Sequence, residues 1–163
     1  MVILGIDPGS LHTGYGVIVQ NGRTVECVFH GTVHLPRRLS FPERLGLVYC
    51  ELVRVIEKFA PDGVAVEDIF YAHNVKTALK LGHIRGAVLL SAVNSGVPVY
   101  EYTPLEVKQA VVGYGRATKE QVAHMVSKLL KINGGIDSHA SDALAVALCH
   151  VHTHRARSMW ERK

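Results

Sequence analysis

The sequence predicts an α/β domain with a mixed sheet, and three observations carry that prediction. Residues 2–6 are an unbroken apolar run, the pattern of a strand buried on both faces. Asn21-Gly22 separates two further strand-like runs and signals a hairpin, because a tight two-residue turn needs positive φ. Downstream, short apolar runs alternate with stretches of helical period, most of them opened by a capping signal. A hairpin sheet extended by strand–helix–strand units is mixed, and its helices cover both faces.

The elements follow in order. Residues 14–19 and 24–33 are the second and third strands. Ser40-Phe41-Pro42-Glu43 is a capping box with proline in the first turn. Leu45, Val48, Leu52, Val55, Ile56 and Phe59 then recur at helical spacing until Pro61-Asp62-Gly63 ends the helix. Val64-Ala65-Val66 is a strand running into Glu67. A loop leads to a helix over about 75–94, which holds Gly82 and Gly86 four residues apart. Each interior glycine costs a helix about 1 kcal/mol relative to alanine, so the pair implies a strip where another backbone approaches. Residues 97–102 are the fifth strand. Thr103 with Glu106 and Thr118 with Gln121 form two more capping boxes, and Ser138 is placed to cap a last helix.

The totals bound the function. At 163 residues the chain makes one domain with a real core, expected over 1–155, followed by a basic tail, 156–163. No run approaches a membrane span, and no signal peptide is expected. Cys27, Cys50 and Cys149 are odd in number and far apart, which fits neither a disulfide framework nor a zinc site and points to the cytoplasm. A net charge of +4 is compatible with a polyanionic partner.

The chemistry concentrates in acids at element ends. Asp7 closes the first strand, and Glu67 closes the fourth. His139 and Asp142 stand at i and i+3 on the first turn of the last helix, hence on one face. Each has a plain structural reading: a turn residue, a solvated strand end, a partner for a helix N-terminus. Together they are the ligand types of hard divalent cations such as Mg²⁺ or Mn²⁺. Two such ions stabilise the attacking and leaving oxygens of a phosphodiester displacement. His150, His152 and His154 alternate along a helix, which splits them across its faces.

The chain resembles the RuvC Holliday junction resolvases. GIDPGSLHTGYGV, VEDIF, ALKLGHIRGA, YTPLEVKQAVVGYGRATKEQV and SHASDALAVALCH follow one another in the family's order, from about residue 2 to 152. The resemblance implies a ribonuclease H-like fold with a mixed five-stranded sheet flanked by helices. It also implies a homodimer and metal-dependent nicking of two strands of a four-way DNA junction, with two Mg²⁺ ions per site (Mn²⁺ as a substitute). By position, Asp7, Glu67 and Asp142 match the family's catalytic acids, and His139 falls where many members carry Asp. Lys108 and Lys119 match basic residues of catalysis and DNA contact, and Phe70 matches an aromatic residue near the junction centre. Tyr71, Arg85 and Arg116 are further candidate DNA contacts. Asp68 stands where Gln is more usual. A branch-migration complex of RuvA and RuvB is the partner that family membership implies. Two rival readings are a nucleotide-binding protein of the actin or sugar-kinase kind, which needs a second domain, and a junction-binding module, which needs no acids.

Overall fold

The fold is described from a computed structural model for residues 1–68 and 74–160, with side chains to residue 154. Ten elements run in the order β1 (Val2–Asp7), β2 (His12–Asn21), β3 (Thr24–His34), α1 (Phe41–Phe59), β4 (Gly63–Glu67), α2 (Val75–Asn94), β5 (Val99–Tyr102), α3 (Pro104–Val112), α4 (Lys119–Leu129) and α5 (Ser138–Trp160). The sheet order is β3-β2-β1-β4-β5. β1, β2 and β3 pair antiparallel, while β4 and β5 add parallel. β3 therefore points the same way as β1, and the ends of β1, β3, β4 and β5 share one edge of the sheet.

Strand parity sorts the core into two layers. Leu4, Ile6, Val17, Val64 and Val66 face α1 and α2, where they meet Val48, Leu52, Ile84 and Val88. Ile3, Ile18 and Ala65 face α3, α4 and α5, where they meet Val107, Val126, Leu144 and Leu148. The unbroken apolar run of β1 thus serves both faces. The same parity carries Asp7 and Glu67 to the α5 side, two residues on from Gly5 and Ala65, which are paired in register.

Glycine lets α5 lie close on that side. A Cβ at Gly5 would strike the Ala143 carbonyl and sit 2.8 Å from the Ala147 side chain, and a Cβ at Gly14 would strike the His139 carbonyl. The strands around the acids thus leave room for the backbone of the helix that carries the third acid.

Several local expectations are corrected. Asn21 pairs with Thr24, so the hairpin loop is Gly22-Arg23, and only Gly22, at φ 60°, has positive φ. That is the glycine-first turn rather than one with two positive φ values. Ala60 takes the left-handed C-cap of α1 at φ 43°, directly before Pro61. Asp137, not Ser138, caps α5: its Oδ1 accepts from the backbone N–H groups of His139 (2.9 Å) and Ala140 (3.3 Å). The same oxygen accepts from Thr32 Oγ1 at 2.7 Å, which ties the helix start to β3. The backbone of α5 runs to Trp160. The three capping boxes at Ser40, Thr103 and Thr118 form as read.

Candidate active site

Three carboxylates from three elements line one cleft of about 290 Å³ at the shared sheet edge: Asp7, Glu67 and Asp142. Lys108 of α3 and Lys119 of α4 line it too, over a floor of Pro104, Val107, Val122 and Ala145. Parity delivers the two strand acids, and the close seat of α5 delivers the third. The Thr118 capping box starts α4 at Lys119, and Lys119 Nζ donates to Asp142 Oδ2 at 2.7 Å. That hydrogen bond raises the lysine's pKa further above its ordinary value, against the effect of burial.

The site is short of positive charge. Burial, and then repulsion from Asp7, pushes Glu67 up to about 8, although Lys119 pulls the other way. Burial and the neighbouring Asp142 raise Asp7 as well, while a hydrogen bond with Glu67, Lys119 and His139 lower it. Both strand acids are thus held above their ordinary values by burial and by a neighbouring carboxylate's charge. A divalent cation would supply the missing charge, and hard oxygen donors of this kind suit Mg²⁺ or Mn²⁺. As the side chains stand, no three His, Cys, Asp or Glu among the described residues form a group able to hold a metal ion. Asp142 accepts from Lys119 in this arrangement.

The remaining predicted residues fall in different places. His139 is on the α5 face next to the acids, near enough for its charge to act on Asp7, but it does not line the cleft. Its ring stacks on His12 at 5.0 Å between centroids. His12 Nδ1 in turn lies 3.0 Å from His34 Nδ1. Arg116 is exposed on the α3–α4 connection, outside the cleft. Arg85 lies outside the cleft. Its guanidinium is paired with Asp68 (3.2 Å) and with Glu101, so its charge is already neutralised. It ties α2 to the ends of β4 and β5 beside Glu67. Phe70 and Tyr71 lie outside the described residues. The histidine run is structural: His150 Nδ1 meets the Tyr102 hydroxyl at 2.8 Å, and His152 Nδ1 meets the Ala110 carbonyl at 2.8 Å.

Sequence reasoning missed His12, His34, Asp137 and the ion-pair partner Glu101. The Asp137–Ser138–His139 stretch did hold a signal, since Asp is as good a cap as Ser. The histidines had none, because they meet only through strand register, with His12 opposite His34.

The mixed sheet order, with acids at the ends of its two central parallel strands and a third on the helix across them, defines a nuclease of the ribonuclease H-like class. A sequence profile described as Crossover junction endodeoxyribonuclease RuvC matches residues 3–150. Proteins of that description are 51% identical in Geobacter sulfurreducens, over 94% of this chain and 93% of theirs, and 50% identical in Trichlorobacter lovleyi, over 96% and 88%. The solved structure of T. thermophilus RuvC in complex with Holliday junction substrate superposes with a TM-score of 0.91 at 40% identity, covering 96% of both chains. The yeast mitochondrial Holliday junction resolvase shares the fold at a TM-score of 0.69 and 14% identity, over 98% of this chain and 83% of its own. The chain belongs to the RuvC family of crossover junction endodeoxyribonucleases.

Proposed function

We infer that this protein resolves four-way DNA junctions by nicking two strands symmetrically, with a divalent metal as cofactor. The observation that carries the reading is the cleft in which Asp7, Glu67 and Asp142 converge beside Lys108 and Lys119. Asp7, Glu67 and Asp142 would hold two Mg²⁺ ions, with Mn²⁺ as substitute, and His139 beside them would serve as a further ligand or orient water. Bound there, such ions polarise the scissile phosphate and lower the pKa of water. The chain's own groups do the rest. Lys119 and Lys108 line the same cleft and would present positive charge where charge develops on the phosphate. Glu67 would serve as a ligand in its ionised form. Phe70 and Tyr71 are proposed to meet the unstacked bases of the crossover, and Arg116 a phosphate.

Two cuts on a two-fold junction need two matching sites, so the working form is proposed to be a homodimer. An apolar groove of about 870 Å³ between α1 and α2 is the proposed contact, lined by Leu45, Tyr49, Ala78, Leu79, Gly82 and Gly86 among others. Among the described residues a Cβ on Gly82 or Gly86 would meet no other part of the chain within 4 Å, which leaves room for a partner. Val88 and Leu89 pack into the core, and Leu79 and Leu90 line the groove. Among the described residues no helix is long and apolar enough to cross a membrane. We place the protein in the cytoplasm, with the RuvA–RuvB branch-migration complex as its partner.

The test is a synthetic four-way junction incubated with and without Mg²⁺ and resolved on a denaturing gel. The expected result is paired, symmetric nicks that need metal. Asp7→Asn is expected to lose about a thousandfold in rate, roughly 4 kcal/mol, while still binding the junction. Wild-type protein that binds junctions and never nicks them would overturn the reading.

A further inference from the structure

The catalytic cleft lies on the α3–α5 side of the sheet. A second concavity, of about 330 Å³, opens at the same sheet edge on the α1–α2 side and plays no part in the chemistry described so far. Ser10, Leu11, Arg37, Arg44, Thr77 and Lys80 line it, and no carboxylate does. These residues come from separate segments that the topology brings to one edge. Ser10 and Leu11 follow Asp7 in the β1–β2 connection, Arg37 follows the end of β3, Arg44 is in the first turn of α1, and Thr77 and Lys80 are in the first two turns of α2.

The site is partly built. Arg44 donates from Nε to the Leu39 carbonyl at 3.1 Å and from Nη2 to the Arg37 carbonyl at 3.2 Å, which holds the 37–39 loop. The Leu35 N–H donates to the Leu11 carbonyl at 2.8 Å and joins that loop to the one after Asp7. A guanidinium has five N–H donors, so three on Arg44 stay available. Among the described residues, Arg37, Arg44 and Lys80 make no ion pair, in contrast to Arg54, Arg85 and Lys119. Three unneutralised cations and the hydroxyls of Ser10 and Thr77 around one hollow suit a phosphate dianion or diester.

We propose that this hollow binds backbone phosphates of a junction arm, so that DNA crossing the catalytic edge is gripped on both faces of the sheet. The proposal rests on the junction-nicking reading. A duplex laid over Asp7 and Glu67 has backbone on either side of them. Lys108 and Lys119 face it on one side, and Arg37, Arg44 and Lys80 on the other. The contact reads no bases, so it orients an arm without setting the sequence at the cut.

The test reads binding alone and needs no nicking. Arg37→Gln with Lys80→Gln leaves Arg44 and its loop contacts intact. At about 0.1 M salt the double variant is expected to bind a four-way junction, without divalent metal, about 10- to 100-fold more weakly. Its slope of log affinity against log salt is expected to fall by about two. The charge-keeping pair Arg37→Lys with Lys80→Arg is expected to retain the wild-type slope, and thermal melting checks that both variants fold. An unchanged slope in the glutamine variant would overturn the site. So would micromolar binding of inorganic phosphate to the wild type that the glutamine variant loses, since the hollow would then serve a small anion. Wild-type binding without nicking would sink the nuclease reading and leave this result interpretable.

Discussion

At the scale of single residues, the acids are held in a state that anticipates a cation. Glu67 is raised from 4.5 to about 8 by burial and then by Asp7. A carboxyl with a raised folded-state pKa binds its proton more tightly folded than unfolded. Its contribution to stability is full below about 4.5 and is lost as pH rises through about 8. The metal-free protein is therefore expected to melt at progressively lower temperature as pH climbs through that window. Glu67→Gln is expected to flatten the profile, and melting curves in a chelator across the window check this. His139 makes the second prediction. Its imidazole carries no formal negative charge, so His139→Asp is expected to stay active and shift metal preference from Mn²⁺ towards Mg²⁺. His139→Ala is expected to lose at least about tenfold in rate with junction binding kept. Full activity of the alanine variant with either metal would show that three carboxylates suffice.

At the scale of elements, the site depends on how α5 is seated. A Cβ at Gly14 meets the His139 carbonyl at the start of that helix. Gly14→Ala is expected to cost about 1–3 kcal/mol in stability through overpacking, and to lower the nicking rate further by displacing Asp142. Denaturant unfolding with rate assays at saturating junction separates the two effects. The second device is the Arg85 clamp, which joins α2 to Asp68 and Glu101 at the ends of β4 and β5. Arg85→Ala leaves two acids unopposed next to Glu67. The expected result is a fall in nicking rate of about tenfold or more with an unchanged salt slope of junction binding. A slope reduced by about one would instead return Arg85 to the phosphate contacts.

At the scale of the whole molecule, topology aims charge at one edge. The first residues of α3 and α4, Pro104 and Lys119, line the cleft with the acids, so the positive dipole ends of these helices lie beside them. That field favours the phosphates of DNA beyond what a net charge of +4 supplies. The α1–α2 groove lies on one flank of this arrangement, and it carries the assembly prediction. Gly82→Arg fills open space, so the variant is expected to fold. It should sediment as a monomer at micromolar concentration and make single rather than paired nicks. A variant that remains dimeric would move the interface elsewhere.

Much of this protein is legible in its linear sequence. The five strands, the three capping boxes and the acids at strand ends all depend on residues within a few positions of one another, and such local signals need no tertiary contact to be read. Only the tertiary structure decided what converges. That Asp7 and Glu67 face α5 follows from strand parity and register, and that Asp142 reaches them follows from glycines on strands far from it in sequence. That Arg85 is spent on Asp68 and Glu101, and that His139 rests on His12, are through-space contacts between elements. The sequence alone determined which chemistry the chain carries, because residue type and local pattern are written in it. Its placement was decided by packing, because two side chains meet only when the elements bearing them are pressed together by a shared core.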